Sequence, residues 1–172
     1  MNANPYILAA LVIPVGFEDI QRVAELPTEG IDTSIVYVLT ADDGEKATGT
    51  LWKNVAGEWA EQTAVPVEYQ HYDGGAKTYI TFFVYGERET LAASGRVKRR
   101  TATGQIDIWT TGDKQPVYDA VLKRLRESGI KSPGGVPDAS FDIVNDEPWY
   151  HALVEFSISE DVDAEVASGY GS

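Results

Sequence analysis

The segment TATGQIDIWTTGDKQPVYDAVLKRLRESG, residues 101–129, spells out a strand-to-helix corner. Ile106 and Ile108 alternate with Asp107 and Trp109, the period of two expected of a strand with one buried face. A polar turn, TTGD, follows, and the spacing then changes. Val117, Val121, Leu122 and Leu125 recur at i, i+4, i+5 and i+8, which predicts an amphipathic helix over 115–128. Asp113 or Gln115 is placed to cap its start, and Pro116 falls in the first turn, where a missing N–H is harmless. Lys123, Arg124 and Arg126 suit the negative end of the helix dipole, and Gly129 supplies a left-handed stop.

The flanks extend this corner into a domain. Upstream, a strand from Lys77 to Tyr85 sends Tyr79, Thr81, Phe83 and Tyr85 one way and Ile80, Phe82 and Val84 the other. The polar stretch GERETLAASG (86–95) reads as a loop before a long strand over 96–109. Downstream, the loop KSPGGVPDAS (131–140) leads to a strand FDIV, a turn NDEP and a strand WYHALVEFSIS, which alternates through Tyr150, Ala152, Val154, Phe156 and Ile158. Near the start, PYILAALVI (5–13) predicts a short buried helix with Pro5 in its first turn and Pro14 as its stop.

Residues 23–64 have a different texture. Ile35 to Thr40, TGTLWKN and GEWAEQ read as the strands of a three-stranded meander, turned by ADDGE, with Trp52 and Trp59 as its main apolar content. The segments on either side, IPVGFE (13–18) and VPVEYQ (65–70), echo one another and point to insertion of the module. The expected organisation is a main domain of residues 1–22 and 65–160, an inserted module at 23–64, and a flexible acidic tail at 161–172. The expected class is α+β: an antiparallel sheet packed by one main amphipathic helix and a short N-terminal helix, plus the small β module.

Bulk composition narrows the functions. A chain of 172 residues, 43% hydrophobic and 24% charged, is ordinary for a folded protein. It has no apolar run near the ~18 residues a membrane span needs and no signal-peptide pattern, so synthesis in the cytosol is expected. The absence of cysteine removes disulfides, thiolate metal sites and cysteine nucleophiles together. The net charge of -13 disfavours unspecific binding to nucleic acid or anionic membranes. That charge is segregated. Residues 1–64 carry ten acids and three bases, 65–131 eight and eleven, and 132–172 nine acids and no base, an asymmetry that suits contact between unlike faces of identical subunits.

Candidate chemistry is sparse. His71 lies near Asp73 and His151 near Asp146, but neither spacing matches a metal-ligand pattern, and both histidines read as strand-surface residues. No phosphate-binding glycine loop or nucleophile elbow is present, so no catalytic, metal or cofactor site is expected. The dense basic run Arg96, Lys98, Arg99 and Arg100 has three readings: a DNA-phosphate patch, a charged stripe that blocks unwanted strand pairing, and an interface stripe for an acidic surface of a neighbouring copy.

Two resemblances add a context. The lead-in LPTEG, the strand IVYV, the Asp42-Asp43-Gly44 turn and the set Trp52, Gly57 and Trp59 are similar to a small β module found in bacteriophage tail and baseplate proteins. Further on, Tyr79 to Phe82, Gln105 to Trp109, the helix and Tyr150-His151 occur in an order that resembles the tail-completion, or head-tail joining, proteins of long-tailed phages. That resemblance covers about residues 65–160, and the chain departs from the family in its larger N-terminal region. It implies a non-enzymatic virion protein, present in the host cytoplasm before assembly. Such a protein forms a ring, typically six-fold, between the head connector or stopper and the tail tube, with DNA passing through the lumen. A tail-terminator ring is the near alternative. A module that binds a glycan or host surface through Trp52 and Trp59 is the alternative of another class.

Overall fold

The computed structural model describes residues 2–92, 95 and 97–162. Its contacts divide the chain into Val12–Pro66 and a second unit made of Met1–Leu11 with Val67–Ser172.

Val12–Pro66 is built on four strands where the sequence predicts three. They are β1 (Ile20–Val23), β2 (Val36–Leu39), β3 (Leu51–Val55) and β4 (Glu58–Gln62), in the order β1-β2-β3-β4. The last three form the expected meander. The added β1 runs parallel to β2, with Ile20 opposite Val36 and Val23 opposite Leu39. At four residues it is too short to show a period of its own, and its pairing moves the start of this unit from residue 23 to Val12. Every residue of β2 is buried, because both faces of the sheet are covered. Tyr37 and Leu39 pack with Leu26, Trp52 and Trp59 on one face, while Val36 and Val38 pack with Leu51, Val12 and Ile20 on the other.

The turns of this unit are tied by short side chains. Asp42 accepts from the Thr48 N–H and hydroxyl, both at 2.8 Å, and these bonds, the backbone one first, hold its carboxyl below the ordinary range. Between β3 and β4, Ala56 and Gly57 take positive φ of 54° and 93°, as a two-residue hairpin turn requires.

The second unit comprises helices α1 (Asn4–Ala10) and α2 (Lys114–Glu127) with strands β5 (Val67–Tyr69), β6 (Thr78–Leu91), β7 (Val97–Thr110), β8 (Gly135–Val144) and β9 (Glu147–Asp161). The sheet order is β5-β6-β7-β9-β8. The α+β class is as the sequence indicates. The three-residue β5, parallel to β6, makes this sheet mixed where a wholly antiparallel one was expected.

The alternation read in the sequence sets the two faces of this sheet. Ile80, Phe82, Ile106, Ile108, Ala152, Val154 and Phe156 are buried, as are Val117, Tyr118, Val121 and Leu125 of α2. Asp113 is the helix cap, accepting from the Gln115 N–H at 3.0 Å, and Gly129 (φ 70°) makes the stop. Arg124 and Arg126 stand in the last turn of α2 as expected, and Arg124 is buried there, 2% exposed, with Glu127 at 2.7 Å. On the opposite face lie Tyr79, Thr81, Phe83, Gln105, Asp107, Trp109, Trp149 and His151, all part-exposed except Thr81.

The stretch 86–95 differs most from its expectation as a loop. Strand β6 continues through it to Leu91, with Glu87 opposite Ala102, Glu89 opposite Arg100 and Leu91 opposite Val97, after a register shift at Val84/Gly86. Cross-strand pairing overrides the poor strand propensity of a polar, glycine-containing run. Arg96 and residues 163–172, most of the expected tail, lie outside the described residues.

Candidate functional site

Lys98, Arg99 and Arg100 of the basic run sit on the outer part of β7, beyond the helix-covered core. Arg99 faces Asp161 across the β7–β9 ladder, with Nε 2.7 Å from Oδ1, and Arg100 Nε lies 3.1 Å from Glu89 Oε1 on β6. The hydrogen bond from Arg99, followed by its charge, holds the Asp161 carboxyl below its ordinary range. Around these pairs the paired strand segments carry four bases (Arg88, Lys98, Arg99, Arg100) and four acids (Glu87, Glu89, Glu160, Asp161). The outer sheet therefore presents mixed charge, a pattern suited to meeting another protein surface more than to tracking phosphates. Exposed ion pairs add little to stability because solvent screens them. Reversing charge in an Arg99→Glu/Arg100→Glu double variant is accordingly expected to leave the thermal midpoint near that of the parent. A loss of melting temperature would assign the pairs a folding role instead.

Trp52 and Trp59, the other sequence candidates, are engaged in packing. Trp59 meets Tyr37 edge-on, with ring centroids 5.3 Å apart, and both tryptophans pack on the Tyr37 and Leu39 cluster. The Trp52 indole N–H donates to Thr50 Oγ1 at 2.8 Å, and the Lys46 ammonium stands 5.4 Å from its ring centroid. Truncation by Trp59→Ala should cost about 2 kcal/mol, less than a fully buried tryptophan because this one is half-buried. Urea unfolding measures it. An unchanged midpoint would return Trp59 to the role of an exposed binding residue.

The open face of the larger sheet holds a constellation that sequence spacing did not show. Asp146, the expected neighbour of His151, lies in the β8–β9 turn with positive φ. The imidazole instead has Asp107 Oδ1 2.7 Å from Nε2 and Ser140 Oγ 3.1 Å from Nδ1, and its ring lies flat on Trp109, with centroids 4.2 Å apart. Gln105 Nε2 donates to the same Asp107 oxygen at 2.7 Å. Sheet register assembles this set: Trp109 and Ser140 stand opposite His151 on its two neighbouring strands. Serine, imidazole and carboxylate in line are the parts of a nucleophilic relay, but acyl transfer also needs preorganised donors for the oxyanion. Ser140 lies on an exposed edge strand, two residues from Asp138, which pairs with Lys114 at the start of α2. The side-chain chain Ser140–His151–Asp107 ties β8 and β9 to β7.

That tie supports the most conspicuous surface of the unit. Strand β8 ends the sheet, and Val136, Phe141, Ile143 and Val144 are 48%, 56%, 62% and 46% exposed. Phe141 and Ile143 stand opposite Tyr150 and Pro148, on the helix-bearing side, beyond the cover of α2. Pro137 and a register shift between Val136 and Ser140 interrupt the first half of the strand, leaving residues 140–144 as its regular part. At the other side of the sheet, β6 runs to Leu91, well past Phe82, where its pairing with β5 ends.

No protein-family model matches the chain, and no curated protein is significantly similar to it in sequence.

Proposed function

We propose that this chain is a structural protein of a long-tailed phage particle, a subunit of a ring at the neck that joins the tail to the head connector. The observation that carries self-assembly is the β8 edge. A regular, apolar, exposed edge strand is a template for pairing with another chain and a liability in a protein that stays alone. The outer part of β6 is a second and unlike edge. Two unlike surfaces on one subunit are what a head-to-side contact needs, and such contacts close into a ring when the rotation permits. The mixed charge around Arg99 and Arg100 would then set register between neighbours.

The phage context rests on the order of the segments Tyr79–Phe82, Gln105–Trp109, the helix and Tyr150-His151, which resembles the tail-completion family, and a six-fold ring with DNA in its lumen follows from the same resemblance. The test is a phage lacking this gene, imaged by negative stain. Full heads beside separate tails of normal length are expected. Overlong tails would assign the terminator role, and intact infectious particles would remove both.

A further inference from the structure

Four aromatic rings gather at one end of the open face of the larger sheet. Tyr79 on β6 stands opposite Trp109 on β7. Tyr72, from the loop before β6, stacks on Tyr79 with centroids 4.5 Å apart, and Trp149 of β9 tilts against Tyr79 at 5.6 Å. The rings are held in place by their surroundings. Ala76 N–H donates to Tyr72 Oη at 3.0 Å, and Gly74 lies so close that a Cβ there would stand 2.4 Å from Tyr72 Cζ. Trp109 is backed by His151, itself bonded at both ring nitrogens, so a ligand can reach the indole only by its opposite face or its edge.

These rings border a cavity of about 410 Å³, within the usual size range of small-molecule sites. Its wall also contains Asp142, Asn145 and the ion-paired Lys77 and Glu147. Carboxylates accept hydrogen bonds, an ammonium donates them and an amide does both, so the wall can meet groups that donate and accept on one scaffold. Aromatic rings meanwhile offer apolar faces to C–H surfaces.

We propose that this cavity binds one pyranose unit of a neutral glycan, the ligand whose C–H face suits the rings and whose hydroxyls suit the polar wall. Two carboxylates against one ammonium disfavour an anionic sugar, and the Lys77 ammonium disfavours a free organic cation in the aromatic box. Asp142 and Val144 of this wall belong to the β8 edge, on the sheet face opposite Phe141 and Ile143, and the site needs no neighbouring subunit.

The test uses the full chain with 15N-labelled indoles, titrated with methyl glycosides of glucose, galactose, mannose, rhamnose and N-acetylglucosamine. Saturable movement of the Trp109 and Trp149 indole signals by at least one of them is expected, with Trp52 and Trp59 stationary. Trp149→Ala should weaken that binding about tenfold or more, and Asp142→Asn, which keeps the side-chain shape, should weaken it severalfold in a folded protein. No saturable shift with any glycoside would overturn the proposal. Saturation by tetramethylammonium alone, or undiminished binding by both variants, would overturn it equally.

Discussion

On the proposal that β8 is the assembling edge of a ring subunit, lysine at both Phe141 and Ile143 is expected to yield a folded protein that no longer assembles. Both side chains are more than half exposed, so their replacement removes little burial from the folded chain. Surface changes of this kind usually alter stability by no more than about 0.5 kcal/mol. At an interface the same change places two ammonium groups where an apolar strand edge meets another chain. Lysine on an edge is also a device by which natural sheets block pairing. The measurement has two parts: a thermal midpoint for the purified variant, and its incorporation into particles by a phage whose own copy is deleted. A normal midpoint with at least a tenfold fall in incorporation is expected. Normal incorporation would show that β8 is not the assembling edge.

The second large effect lies in the core. Gly104 sits in mid-β7, and a Cβ added there would stand 2.3 Å from the Phe83 carbonyl oxygen and 2.4 Å from Phe156 Cζ. Neither neighbour can yield easily: one is backbone of the adjoining strand, and Phe156 is 1% exposed in a packed interior. Gly104→Ala is therefore expected to cost about 3 kcal/mol, the upper part of the usual range for overpacking. That is a large share of the ~5–15 kcal/mol that holds most domains folded. Gly134→Ala, where the added carbon meets nothing within 4 Å, serves as the control and should be close to neutral. Equal denaturation midpoints for the two variants would mean that the Phe83–Phe156 contact relaxes without penalty.

What the sequence made legible, and what it hid, follows from the range over which each feature is determined. Alternation along Ile80 to Phe82, Ile106 to Ile108 and Ala152 to Phe156 is local, and it marked the buried face of the larger sheet directly. The Asp113 cap and the Gly129 stop are equally local. Strand β1 was not legible, because four residues owe their conformation to a parallel partner beyond a long connection. The outer half of β6 was hidden for a similar reason: its polar residues become strand by facing β7, as Glu89 faces Arg100. Of the basic run, the sequence showed the clustering of Lys98, Arg99 and Arg100 but not the acids that answer two of them. The Asp107–His151 contact spans 44 residues, a separation at which no spacing rule operates. Trp52 and Trp59 were conspicuous as aromatic residues, but only the sheet revealed that their rings pack on Tyr37 and Leu39.

Strands β6 and β7, at fourteen residues each, and β9, at fifteen, lie antiparallel over most of their lengths. At roughly 3.4 Å per residue β7 alone extends about 45 Å. Traction applied along these strands would load many ladder bonds together, in shear, whereas traction across the sheet would open them one after another. The larger sheet is thus mechanically anisotropic, stiffest along β7, the strand that leads into the capped start of α2.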